Sequence, residues 1–224
     1  MIVAERKPFE EIKALVAGYP KTLIVGCGTC VAVCLAGGEK EVGILGAQLR
    51  LAAKVRGNGV RIDEITLERQ CDREFMEPLA KRVGQYDALL STACGAGVQL
   101  LAEIFDDKPV LPALNTTFIG VAEGPGIWTE RCLACGDCLL GLTGGICPVT
   151  MCAKGLLNGP CGGAVDGHCE VDPERPCAWG QIYDRLSKTG RLENLRAIQP
   201  PKRYDAHVHP AHLVHLAYKR RYGV

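Results

Sequence analysis

Aromatic residues are scarce: Phe, Trp and Tyr make up 5% of the 224 residues, too few to suggest platforms on which nucleobases would stack. An excess of one charge is missing as well. The formal net charge is +1, so nothing marks a nucleic-acid surface. Long hydrophobic runs are absent. The longest uncharged apolar stretch, Ala88 to Ala102, is interrupted by Ser91, Thr92, two glycines and Gln99, and is too short to cross a bilayer. The first residues, Met1 to Lys7, carry charges but no apolar segment of the kind that targets a chain for export. There is no internal repeat and no low-complexity tract. These absences lead to the expectation of a soluble, cytoplasmic protein of one or two domains, with enough chain for a real core.

What the sequence does have is cysteine, thirteen in all. In an oxidising compartment they would read as disulfides. In a reducing one, closely spaced cysteines are more often metal ligands. Eight fall between Cys132 and Cys177. The segment opens Arg131-Cys-Leu-Ala-Cys-Gly-Asp-Cys138, a C-x2-C-x2-C run at Cys132, Cys135 and Cys138 whose spacing wraps a cubane iron–sulfur cluster and is poor geometry for independent disulfides. Cys147-Pro148 has the form that commonly closes such a set, although eight residues separate Cys138 from Cys147, more than in a simple ferredoxin run. Cys152, Cys161, Cys169 and Cys177 follow. Structural zinc is the competing reading, but zinc sites usually pair two knuckles or add histidine, and only His168 lies nearby. The spacing favours iron–sulfur for the first three. The remaining five complete one cluster and build a second, or leave one cluster beside a zinc ion. The segment is rich in glycine and poor in apolar runs, so its fold is expected to depend on metal.

The first half alternates. A proline-opened amphipathic helix is expected over 8–18, a buried strand over Lys21 to Gly26, a helix from Glu41 to Val55, and a strand over Arg61 to Leu67. A helix capped by Asp72, a strand over Tyr86 to Thr92, a helix carrying Val98, Leu101, Ile104 and Phe105, and a strand from Pro109 to Leu114 follow. This βαβαβαβ order predicts a Rossmann-like parallel sheet, which takes ligands at the carboxyl ends of its strands. Cys27, Cys71 and Cys94 each follow a predicted strand, and Cys30 and Cys34 lie on the first turn. Five candidates for four ligands leave one over. Gly26-Cys27-Gly28 begins like a dinucleotide fingerprint, but Val31 stands where the third glycine belongs, so metal ligation is the better reading of this turn. Residues 116–128 are rich in glycine and read as a connector. His207, His209, His212 and His215 could make a metal site, with His212 and His215 on one helix face; Pro210 splits the group, so a polar tail is the better reading, with a subunit interface as the middle case. No acid–base pair is assigned.

Several stretches together have a familiar form: Gly26-Cys-Gly-Thr-Cys, Ser91-Thr-Ala-Cys-Gly-Ala-Gly-Val, Asn115-Thr-Thr-Phe-Ile-Gly, the run from Glu130 to Cys138, and Asn158-Gly-Pro-Cys-Gly-Gly with Gly167-His-Cys-Glu. Together they resemble the methylene-tetrahydrofolate reductase C-terminal-domain family, which includes the small iron–sulfur subunit of the methylenetetrahydrofolate reductase of acetogenic and related anaerobic bacteria. The resemblance spans roughly residues 20–190. It implies a [4Fe-4S]-bearing electron-transfer subunit of an oxidoreductase complex of one-carbon (Wood–Ljungdahl) metabolism, carrying two or three clusters. Its partners would be a flavin-containing catalytic subunit and an electron donor. Folate reduction would lie on the partner, with a zinc-folded docking subunit as the alternative. The expected organisation is an α/β domain over 1–125, a cysteine-rich iron–sulfur domain over 126–180, and a C-terminal helix and tail over 181–224.

Overall fold

The computed structural model describes residues 1–57, 59–203 and 210–222. The chain divides into two compact units, Met1–Thr129 and Glu130–Val224.

In the first unit the strands β2 (Lys21–Cys27), β3 (Arg61–Leu67), β4 (Ala88–Ser91) and β5 (Val110–Pro112) form a parallel sheet in the order β3-β2-β4-β5. The chain leaves β2 toward one side to make β3, then returns to the other side for β4. The order therefore reverses between β2 and β4, the topological switch point at which open α/β sheets bind ligands. Both faces of the sheet are covered, which explains the unbroken apolar runs in its strands. Leu23, Val25, Leu67 and Leu89 pack on Met76, Leu79, Val83 and Leu101. On the other face Ile24, Ile62 and Leu90 pack on Ile12 of α1 (Phe9–Val16) and on Val42, Leu45 and Leu49 of α3 (Glu39–Val55). Pro8 precedes α1 and Gly38 precedes α3. Gly57, in the left-handed region at φ +72°, follows the end of α3.

The helix expected after Asp72 is broken. Asp72 accepts the Glu74 N–H as anticipated, but the segment runs as a 3₁₀ turn (Arg73–Met76), a short α4 (Glu77–Ala80) and a second 3₁₀ turn (Val83–Gln85). Pro78, with no N–H to donate, interrupts the pattern. The helix at Val98 is α5 (Gly95–Ile104).

The connector reading of residues 116–128 is wrong. β6 (Leu114–Gly124) and β7 (Ile127–Cys132) are strands, and with β1 (Ile2–Arg6) they build an antiparallel sheet in the order β1-β6-β7. The glycines have a packing reason here: a Cβ on Gly120 would stand 2.2 Å from the Thr129 carbonyl oxygen. The N-terminal strand pairs with β6, Val3 opposite Phe118. The first unit thus joins a four-stranded parallel sheet to an antiparallel one.

The second unit has little regular structure. α6 (Pro148–Met151) and α7 (Ala178–Lys188) are its main helices, and Trp179, Ile182 and Leu186 of α7 form a small core with Ile146 and Leu156. Toward the C-terminus a 3₁₀ turn (Leu216–Tyr218) leads into α8 (Lys219–Tyr222). His212 lies in irregular chain and His215 caps that turn, so the two do not share a helix face. His207 and His209 lie outside the described residues. No helix among the described residues is long and apolar enough to cross a membrane.

Ile24, fully buried in the central strand, tests the sheet core. Ile24→Ala should destabilise the first unit by ~2–5 kcal/mol, seen as a lowered urea midpoint of the full chain.

Candidate metal centre

All thirteen cysteines are free thiols. In the first unit the sheet brings four of them to its carboxyl edge. Cys27 ends β2 and is paired in register with Leu67, the last residue of β3. The turn after β2 places Cys30 at the first position of α2 (Cys30–Val33). Cys71 lies four residues beyond β3. Cys94 lies three beyond β4, at the positive end of α5.

Backbone contacts lock these loops together. The Gly28 N–H donates to the Leu67 carbonyl at 2.8 Å, and a Cβ on Gly28 would stand 3.3 Å from that oxygen. Gly28 thus serves a close approach of two loops, not a phosphate. Thr92 donates its hydroxyl to the Gly37 carbonyl at 3.0 Å, and a Cβ on Gly37 would collide with the Thr92 carbonyl at 1.9 Å.

The residue that sequence reasoning missed is Gln70. It is fully buried, and its side-chain amide donates to the Val25 and Gly26 carbonyls at 2.7 and 3.0 Å. Its oxygen accepts the Ser91 hydroxyl at 2.7 Å. One side chain thereby ties the loop carrying Cys71 to the ends of β2 and β4. A lone glutamine in a loop carries no periodic signal; only its place beside Cys71 could have pointed to it.

The thiols at this edge influence one another. Packing around the sulfur of Cys71 pushes that thiol up, and Cys94, Cys27 and Cys30 add to the shift, although Cys71 is exposed as a residue. Cys34 differs. It is buried, donates its thiol to the Ile2 carbonyl at 3.5 Å, and packs with Val3, Val31, Ala36 and Leu114. Burial pushes its thiol up too. Two buried donors near this edge have no hydrogen-bond partner, Arg69 Nε and Trp128 Nε1. Arg69 adjoins Gln70 and Cys71. The Trp128 indole packs on the buried group that contains Cys27 and Cys34, as does Cys94.

In the second unit the thiols are set by local turns. Ala134 (φ 52°) and Gly136 (φ 76°) take left-handed conformations between Cys132, Cys135 and Cys138. The Ala134 N–H reaches Cys132 Sγ at 3.3 Å, and the Cys135 thiol faces the Asp137 carbonyl at 3.6 Å. Lys202 binds that same carbonyl. Cys147 and Cys152 bracket α6, with Cys152 and Cys177 packed on the small core. Cys177 precedes α7 and donates its N–H to the Gly167 carbonyl at 2.7 Å. Cys161 Sγ accepts the Gly163 N–H at 3.5 Å; that bond, with Lys154 nearby, pulls the thiol below its usual value. The Cys169 N–H donates to the Arg175 carbonyl. His168 forms isolated bridges with Val165 and Pro176. Among the described residues no three His, Cys, Asp or Glu side chains in either unit stand close enough to hold a single metal ion.

A parallel sheet with thiols gathered at its switch point, followed by a glycine-rich segment of free cysteines, defines a mixed α/β cysteine-rich protein. Residues 111–205 match the family model described as methylene-tetrahydrofolate reductase C terminal. The motifs at Gly26–Cys30 and Ser91–Val98 lie outside the matched residues. No curated protein and no solved structure matches the chain.

Two outcomes test this geometry. Gln70→Leu removes one donor from each of the Val25 and Gly26 carbonyls and the acceptor of the Ser91 hydroxyl, and should cost ~1–3 kcal/mol. In the folded variant Cys71 and Cys94 should also alkylate faster, read by mass spectrometry. The raised Cys34 thiol gives a pH dependence. The folded chain keeps that proton after the unfolded chain has lost it, so stability is unaffected below the ordinary thiol range and falls as pH rises above about 8.5. Cys34→Ala should flatten this alkaline decline in urea unfolding between neutral and alkaline pH.

Proposed function

We propose that the chain is an iron–sulfur electron-transfer subunit of a methylenetetrahydrofolate reductase complex, acting in the cytoplasm. The carrying observation is that the family match over residues 111–205 coincides with the eight-cysteine segment, every thiol of which is free. Cys132, Cys135 and Cys138 would hold one [4Fe-4S] cluster. Cys147, Cys152, Cys161, Cys169 and Cys177 would complete it and supply a further cluster or a zinc ion.

The donor set fits the group. All candidate ligands are thiols, the hallmark of cubane ligation. The N–H groups of Ala134 and Gly163 lie at the sulfurs of Cys132 and Cys161, as backbone donors do around cluster thiolates. When bound, such clusters carry single electrons, and a flavin accepts electrons one or two at a time. The chain's own residues would hold the thiolates and shape the surrounding turns. Folate reduction would fall to a flavin-bearing catalytic partner, and an electron-donor protein would supply the electrons. Free thiols suit a reducing compartment.

The test is iron, acid-labile sulfide and zinc on chain purified without oxygen. About eight to twelve irons with matching sulfide is the expected result. The reduced chain should then reduce the flavin of a methylenetetrahydrofolate reductase catalytic subunit. Zinc without iron would replace the relay with a zinc-folded docking role.

A further inference from the structure

We propose that the first unit holds a four-thiolate [4Fe-4S] site of fixed membership, Cys27, Cys30, Cys71 and Cys94, with Cys34 outside it. This deepens the electron-transfer reading and rests on it for purpose, but the site lies outside the family-matched residues and stands on its own geometry. It also resolves the surplus of one thiol that the sequence leaves open.

Three observations select the four. First, each comes from a different point of one edge: the end of β2, the first turn after it, the loop after β3, and the start of α5 after β4. The sheet order places the ends of β2 and β4 side by side at the switch point, and Gln70 fastens the third loop to both. Second, Cys34 gives its thiol to the Ile2 carbonyl of β1 at 3.5 Å and packs among Val3, Val31, Ala36 and Leu114, beneath the antiparallel sheet. Third, this corner has two buried donors without acceptors, Arg69 Nε and Trp128 Nε1. Thiolates and cluster sulfides are acceptors that the protein alone does not provide there; the other end of the Arg69 guanidinium is paired with Glu68 at 3.0 Å.

The spacing also favours one kind of centre. A tetrahedral zinc ion with Zn–S bonds near 2.3 Å draws its sulfurs to about 3.8 Å from one another. No three of these thiols stand close enough to hold a single ion, although all four leave one edge of the sheet. A cubane separates its ligands by its own width and suits such a frame. Cys71 is the exposed member of the four, so one corner of the centre would face outward.

The experiment compares three full-length chains made without oxygen: the parent, Cys34→Ala and Cys71→Ser. Iron, sulfide and zinc per chain are measured beside the electron paramagnetic resonance spectrum of the dithionite-reduced protein. Cys71→Ser, at an exposed position, should lose about four irons and four sulfides and one spectral component. Cys34→Ala should keep the parent's content. Equal loss from both variants overturns the membership, as does no loss from Cys71→Ser, and loss of zinc in place of iron overturns the cubane. Circular dichroism separates cluster loss from unfolding; should Cys71→Ser unfold, Cys94→Ser gives the same readout. Trp128→Phe should keep the iron and lower the reduction potential of this component alone, because a donor to sulfur is removed; an unchanged potential would remove the indole from the site. None of these readings needs the flavin partner. A first-unit cluster without flavin reduction would sink the relay and leave the site standing.

Discussion

The side chain of Gln70 holds together the part of the first unit on which the candidate chemistry depends. Three loops leave the carboxyl edge of the parallel sheet, and nothing in strand pairing alone fixes them relative to one another. A primary amide is suited to the task because it offers two donors and an acceptor in one plane. Here both donors go to consecutive carbonyls at the end of β2, and the acceptor takes the hydroxyl of the last residue of β4. The arrangement is buried, so each of these groups would be costly to leave unpaired. Cys27 follows the second of those carbonyls, Cys71 follows Gln70, and Cys94 comes three residues after Ser91. The sulfurs inherit their positions from this polar knot.

The two units place their thiols by different means. In the first, buried strands, two packed faces and the amide knot set the frame before any metal is considered. In the second, the apolar side chains that are fully buried among the described residues are Ile182 and Leu186, with Ala178 and Trp179 close behind. Most thiol positions there follow from local turns: left-handed residues around Cys135, a short helix between Cys147 and Cys152, and a loop at Cys161. A core that small stabilises only a modest length of chain, and in such segments metal binding and folding are thermodynamically one process.

The parallel sheet was legible because its strands are buried on both faces and its helices carry an apolar stripe; Leu23, Ile24 and Val25 announce themselves by composition. The strand-end cysteines were legible for the same reason, since strand ends could be located. The antiparallel sheet was hidden. β6 and β7 face outward along much of their length and are punctuated by Gly120, Gly124, Pro125 and Gly126, the signature of a loop, although Gly120 serves close strand contact. β1 is a five-residue strand ending in two charges, too short for alternation to stand out. Gln70 was illegible because its role comes entirely from tertiary placement. The surplus among five thiols was likewise beyond spacing, since Cys34 lies four residues from Cys30 and looks like a natural ligand. What sets it apart is β1, whose Ile2 carbonyl accepts its S–H, and β1 was not visible.

That last point ties the hidden sheet to the candidate centre. β1 and β6 cover Cys34, Val31 and Ala36, and so convert one thiol of the first turn from a possible ligand into core. A turn with three cysteines at short spacing can supply three ligands to one cluster, as the run at Cys132 invites. With the third withdrawn, the proposed site would draw two thiolates from this turn and the others from the loops after β3 and β4. A centre assembled from three loops of one sheet would be held by the packed domain itself, so its ligands would shift little when the charge of the group changed. The antiparallel sheet therefore does more than extend the fold: by occupying Cys34 it leaves the thiols of the sheet edge, where Gln70 fixes the loops, as the set available to the proposed centre.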